Sequence, residues 1–86
     1  MIPGPTLLRV QVLSPKGLQW EGEAQSVSSV NSQGPFDLLP QHAHFISLVK
    51  SQPIVLIDRN GKEYTLKYET AVVRLFDDIV TIYADV

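Results

Sequence analysis

His42 and His44, two residues apart, are the side chains of this sequence best suited to do chemistry. On a regular strand, residues i and i+2 point to one face, and two imidazoles so placed ligate zinc or copper once a third donor converges. Asp37 is the nearest candidate donor. A metal centre needs three or four ligands, however, and the chain has no other histidine and no cysteine. The remaining carboxylates are scattered over turns and wet strand positions. Serines are plentiful, but the sequence has neither a nucleophile elbow nor a Ser-His-Asp spacing. Three readings stay open on these residues alone. The first is a metal-dependent enzyme built on Asp37, His42 and His44. In the second, a corner led by Pro40 hydrogen-bonds its imidazoles to loop backbone. The third makes that corner a contact with another protein.

The elements that must position this corner read as strands. In the run from Leu7 to Leu13, Leu8, Val10 and Val12 alternate with Arg9 and Gln11, the two-residue period of a sheet with one wet face. Ala24, Val27 and Val30 recur at a spacing of three, which a helix could use. Their serine-rich filling is a poor helix former, so a bulged strand is expected there. Pro53 opens an apolar, β-branched run through Ile57, and proline is tolerated at a first strand position. Asn60-Gly61 then predicts a hairpin with a type I′ turn. Tyr64, Leu66 and Tyr68 alternate along its return strand. A second hairpin is predicted around Asp77-Asp78, between the run ending at Phe76 and the run from Ile79 to Ala84. No ten-residue amphipathic helix is visible. The expected fold is therefore all-β: an antiparallel β-sandwich or flattened barrel of about 8–10 short strands. Residues 1–6 read as a leader and residues 7–86 as one domain.

Size and charge narrow the function classes. A chain of 86 residues buries roughly 60–65% of its unfolded surface, enough for one modest core. Seven basic and nine acidic residues without charge runs give a net charge of −2, which argues against a surface that tracks nucleic-acid phosphates. No apolar run approaches the ~20 residues needed to span a bilayer as a helix, so no direct membrane insertion is expected. The N-terminal stretch has no signal-peptide or transit-peptide pattern. No cofactor is indicated.

Four landmarks, in order, carry a resemblance. They are Val12-Leu13-Ser14-Pro15 followed by Trp20-Glu21-Gly22, the stretch from Gly34 to His44, the Asn60-Gly61 turn, and the closing run from Val80 to Asp85. Together they are similar to the N-terminal β-sandwich domain of the epsilon subunit of rotary ATP synthases, called delta in mitochondria. The match departs where family glycines are replaced: at Asp37, at Gln41 and at Thr70-Ala71. His44 also stands where the family has a proline. Those losses predict ordinary backbone dihedrals at these corners, or a partner seated differently against them. Most family members carry a two-helix hairpin after the β domain. The sequence read here reaches Val86 without one, so the resemblance implies neither inhibition by an extending hairpin nor nucleotide sensing.

The resemblance implies a mechanical role. It points to a non-catalytic rotor subunit that couples the gamma subunit to the membrane-embedded c ring during ion-driven ATP synthesis. Such a subunit lies at the membrane periphery, on the cytoplasmic face in bacteria or the stromal face in plastids. The implied c-ring contact is Gly34, Pro35, Phe36, Asp37, Pro40, Gln41, His42, Ala43 and His44. The expected gamma contact is Trp20, Tyr68, Glu69, Thr70, Ala71 and Val72. The competing expectation is an unrelated β-sandwich adaptor or ligand-binding module, with an aromatic platform of Tyr64, Tyr68 and Tyr83.

Overall fold

Alternation of apolar and polar residues decides where the chain extends and which way each side chain faces. The computed structural model describes residues 7–86. It contains strands β1 (Leu8–Ser14), β2 (Gly17–Asn31), β3 (Gly34–Leu38), β4 (Phe45–Lys50), β5 (Pro53–Asp58), β6 (Glu63–Lys67), β7 (Thr70–Phe76) and β8 (Ile79–Ala84). No helix occurs among the described residues. The expected leader lies outside them. The strands form one curled sheet in the order β4-β7-β8-β1-β2-β5-β6, with β3 added to β2. Every pairing is antiparallel except that of β1 with β8, which run parallel.

Curling puts one face of the sheet inside. Leu8, Val10, Val12, Ile54, Leu56, Val73, Leu75, Val80 and Ile82 are fully buried there. Cross-strand neighbours such as Val10 with Val80, Val12 with Ile82, and Val27 with Leu56 knit the layer. Each such side chain contributes about 1.5–3 kcal/mol by leaving water. Trp20, Phe36, Phe45, Tyr64, Leu66 and Tyr68 pack at its margins, half-buried.

The spacing of three in β2 has a local cause. Ala24 pairs with Asp58 and Ser26 with Ile57, so Gln25 is the extra residue of a bulge. The bulge advances the phase by one and places both Ala24 and Val27 inward, each 0% exposed. Two residues further on, the inward position belongs to Ser29, whose hydroxyl donates to the Pro53 carbonyl at 2.9 Å. Val30 therefore falls out of register with Ala24 and Val27 and is only half-buried. At 15 residues, β2 is also no short strand. Its first half pairs with β1 and its second half with β5 and β3.

The two hairpin turns differ in geometry, and the one at Asn60-Gly61 departs from the expected type I′. At 58–62 only Gly61 has positive φ, +84°. Its amide donates to the Asp58 carbonyl at 3.0 Å, closing a turn over Arg59 and Asn60. This is a three-residue loop with glycine at the left-handed position, not a type I′ turn. The cause is Asp58, whose Oδ1 accepts from the amides of Asn60 (2.8 Å) and Lys62 (2.9 Å) and favours the right-handed start. Asp77 and Asp78, by contrast, both have positive φ, 52° and 61°, between the paired residues Phe76 and Ile79. That is the backbone signature of type I′.

Candidate functional site

Pro40 directs the chain out of β3, and the next residue, Gln41, has φ 67°. Proline followed by a positive φ suits a type II turn, where glycine is the usual second residue. The expectation of ordinary dihedrals thus holds at Asp37, Thr70 and Ala71 and fails at Gln41. What offsets the strain is visible: the Gln41 amide donates to Asp78 Oδ1 at 2.7 Å. Asp78 is itself fixed, because its carbonyl accepts from the Arg9 amide at 2.9 Å.

The two imidazoles have different surroundings. His42 Nδ1 accepts the Leu39 amide at 3.4 Å, a long local bond that answers the expectation of a corner bonded to its own backbone. His44 lies flat against Phe76, with ring centroids 4.2 Å apart and planes at 29°. The Arg74 guanidinium stands 5.1 Å from the same phenyl ring. Asp37 is occupied on the β2–β3 ladder, where it faces Ser28 and accepts its hydroxyl at 2.5 Å. Residues 42–44 are not in a strand, so the i, i+2 rule that would have converged the imidazoles does not apply. Among the described residues, no three histidine, aspartate or glutamate side chains come together as metal ligands. Asp37, His42 and His44 do not converge as the metal-centre alternative required.

The other expected contact residues separate along their strands. Gly34 (φ 120°) begins β3, where Pro35 and Asp37 face outward. Phe36 turns inward against Phe45, at 4.9 Å between centroids. Pro40 is half-buried, while Gln41, His42, Ala43 and His44 are exposed. Trp20 lies half-buried over Gly22 and 5.7 Å from the Tyr64 ring, a marginal piece of the core. Ala71, expected as a gamma contact, is 1% exposed, because β7 alternation turns it inward with Val73 and Leu75. Glu69 is exposed, and Tyr68, Thr70 and Val72 are half-buried. Burial first, and the Asp85 carboxylate second, raise the Tyr68 phenol above its usual 10.0. Tyr64 and Tyr68 pack toward the core, whereas Tyr83 is on the outer face of β8, so the three tyrosines do not form one platform.

Sequence reasoning missed a second surface. The outer face of β4-β7-β8 carries Ile46, Leu48, Phe76, Ile79 and Tyr83, all large and exposed, Ile46 by 68%. The register aligns them in rows: Leu48 with Val72 and Tyr83, Ile46 with Arg74 and Thr81, and Phe76 with Ile79. His44 and Phe76 join this face to the corner. Adjacent exposed apolar side chains of this size mark interaction sites rather than ordinary surface. The signal was present in Phe45–Lys50 and Thr70–Phe76, where apolar residues occupy both phases of the alternation instead of one.

Residues 7–86 match the family model for the ATP synthase delta/epsilon chain β-sandwich domain. The ATP synthase epsilon chain of Sulfurovum sp. is 25% identical over 79 residues, covering 92% of this chain and 62% of that one. The chain thus spans less than two thirds of that relative's length. A chain in the Euglena gracilis mitochondrial ATP synthase OSCP/F1/c-ring structure superposes with a TM-score of 0.85 at 11% identity, over 95% of this chain and 52% of the other. A second, from the central stalk/c-ring structure of Tetrahymena thermophila mitochondrial ATP synthase, gives 0.70 at 9% identity, over 96% and 66%. At such identities the structural likeness speaks for the fold.

Proposed function

Because the chain belongs to the ATP synthase delta/epsilon β-sandwich family, we propose that it is a non-catalytic element of the rotor of an F-type ATP synthase. It couples the gamma subunit to the c ring while ions drive ATP synthesis, and it sits peripherally on the membrane complex, on the cytoplasmic face in a bacterium. The observation that carries this reading is an all-strand body whose exposed apolar face adjoins a braced corner. The two surfaces offer two neighbours separate footholds on one rigid piece, which is what passing torque between them requires.

In this reading the corner, with Pro40, Gln41, His42, Ala43 and His44, meets the polar loops of the c ring, and the β3 residues Gly34, Pro35, Phe36 and Asp37 flank it. Gamma lies along the outer face of β4-β7-β8, where Val72 joins Ile46, Leu48 and Tyr83. Tyr68, Glu69 and Thr70 lead into β7 at the edge of that contact, and Trp20 packs half-buried at the core margin against Tyr64. Rigidity follows from the nonlocal pairings of β1 with β8, β2 with β5 and β4 with β7, which tie the local hairpins around one packed interior, so that no single strand opens without disturbing the others.

The test is association. The chain should co-elute with a gamma–c-ring assembly. A double substitution, Ile46→Glu with Tyr83→Glu, should weaken gamma binding by at least about tenfold, since an unpaired charge in a closed interface costs more than ~1.4 kcal/mol. Retention of full affinity by that variant would reject the face. Absence of any association with either partner would reject the function.

A further inference from the structure

The corner from Pro40 to His44 is held at both of its ends by one element, the tip of the β7–β8 hairpin. At one end the Gln41 amide donates to Asp78 Oδ1 at 2.7 Å. At the other, His44 is stacked on Phe76. His42 and Ala43 lie between these two fixed points, exposed. The tip is rooted in the sheet, because the Asp78 carbonyl accepts the Arg9 amide of β1.

Three residues without glycine's freedom take positive φ in this cluster: Gln41 at 67°, Asp77 at 52° and Asp78 at 61°. Each is strained for an L side chain, and aspartate tolerates the region better than glutamine does. A charge-assisted bond from a carboxylate to a backbone amide is among the stronger hydrogen bonds a protein makes. It is placed at Gln41, the residue least suited to its own dihedral. The type I′ geometry of the 77–78 turn is what brings that carboxylate within reach.

We infer that Asp78 is a positioning residue: its carboxylate clamps the strained Gln41 peptide, and so fixes the shape in which His42 and Ala43 are presented to the c ring. The inference rests on the reading of the corner as a ring contact. It assigns to Asp78, 37 residues further along the chain, a role in that contact without requiring Asp78 to touch the ring.

Amide hydrogen exchange and NMR shifts of the 86-residue chain, together with its affinity for a detergent-solubilised c ring, test the inference. Asp78→Ala should speed exchange at the Gln41 amide by about tenfold or more while Val80, within β8, stays protected. Asp78→Asn, which keeps an oxygen acceptor, should restore part of that protection. In a Gln41→Gly background the Asp78→Ala change should alter the corner's shifts and ring affinity far less, because glycine takes the positive φ unaided. Unchanged exchange at Gln41 in both Asp78 variants overturns the clamp. A lost clamp with undiminished ring affinity leaves the bond real and removes the ring-contact reading on which its role depends.

Discussion

Gly61 shows how one dihedral can carry a turn. Its φ of +84° and the open space around it mean that backbone strain, not collision, limits what can replace it. Gly61→Val should cost about 1–3 kcal/mol, since a β-branched side chain resists positive φ. Urea denaturation measures this, and an unshifted midpoint would refute the turn. At Gly22 the limit is the reverse. An added Cβ would lie 2.9 Å from the far edge of the Trp20 ring. Gly22→Ala should therefore swing the indole away at a cost of about 0.5–1.5 kcal/mol. Trp20 is the sole tryptophan, so a shift in its emission maximum reads that movement directly. Tyr68 supplies a pH effect whose sign follows from its surroundings. Burial, then Asp85, favours the neutral phenol in the folded chain. The folded value exceeds the unfolded one, so this contribution is full below pH 10 and fades as pH rises past 10.0 through the raised folded value. Denaturation midpoints should fall in that window, and by less in Tyr68→Phe. Equal falls in both proteins would reject the assignment.

At the scale of elements, β7 and β8 serve two surfaces at once. Their inward residues Val73, Leu75, Val80 and Ile82 build the core, while Val72, Phe76, Ile79 and Tyr83 build the outer apolar face. Substitutions on the two sides should separate cleanly. Ile82→Ala, fully buried, should destabilise the fold by about 2–5 kcal/mol. Ile79→Ser, at an exposed site, should stay within about 0.5 kcal/mol in stability and show its effect only in partner binding. Thermal melts paired with a gamma pull-down distinguish the two. A large loss of stability from Ile79→Ser would mean that the outer face is structural rather than an interface.

For the molecule as a whole, the parallel pairing of β1 with β8 joins the first described strand to the last. Most of the sheet lies between those two strands in sequence, so the pairing forms only when distant parts of the chain meet. Such topology favours slow, cooperative folding on the millisecond-to-second scale. It also closes the first and last described strands into one sheet.

How much of this was legible in the chain differs by the kind of information involved. Alternation located β1 and β6, an apolar β-branched run located β5, the hairpin signal at Asp77-Asp78 located β7 and β8, and the serine-filled segment announced the bulged β2, because all of these are local properties of the chain. The ordered landmarks marked the family and directed attention to the corner at Pro40–His44. Turn type was not legible at either hairpin. Asp58 capped one, and the pairing of Phe76 with Ile79 fixed the other, so a dipeptide preference gave way to hydrogen bonds made by neighbours. Whether Ala71 or Val72 faces a partner depends on strand phase, which an isolated segment leaves free by one residue. The clamp between Gln41 and Asp78, and the stack of His44 on Phe76, belong to tertiary structure alone. They join residues that only the β7–β8 hairpin brings to the corner, and nothing in the spacing of either segment encodes where the other will lie.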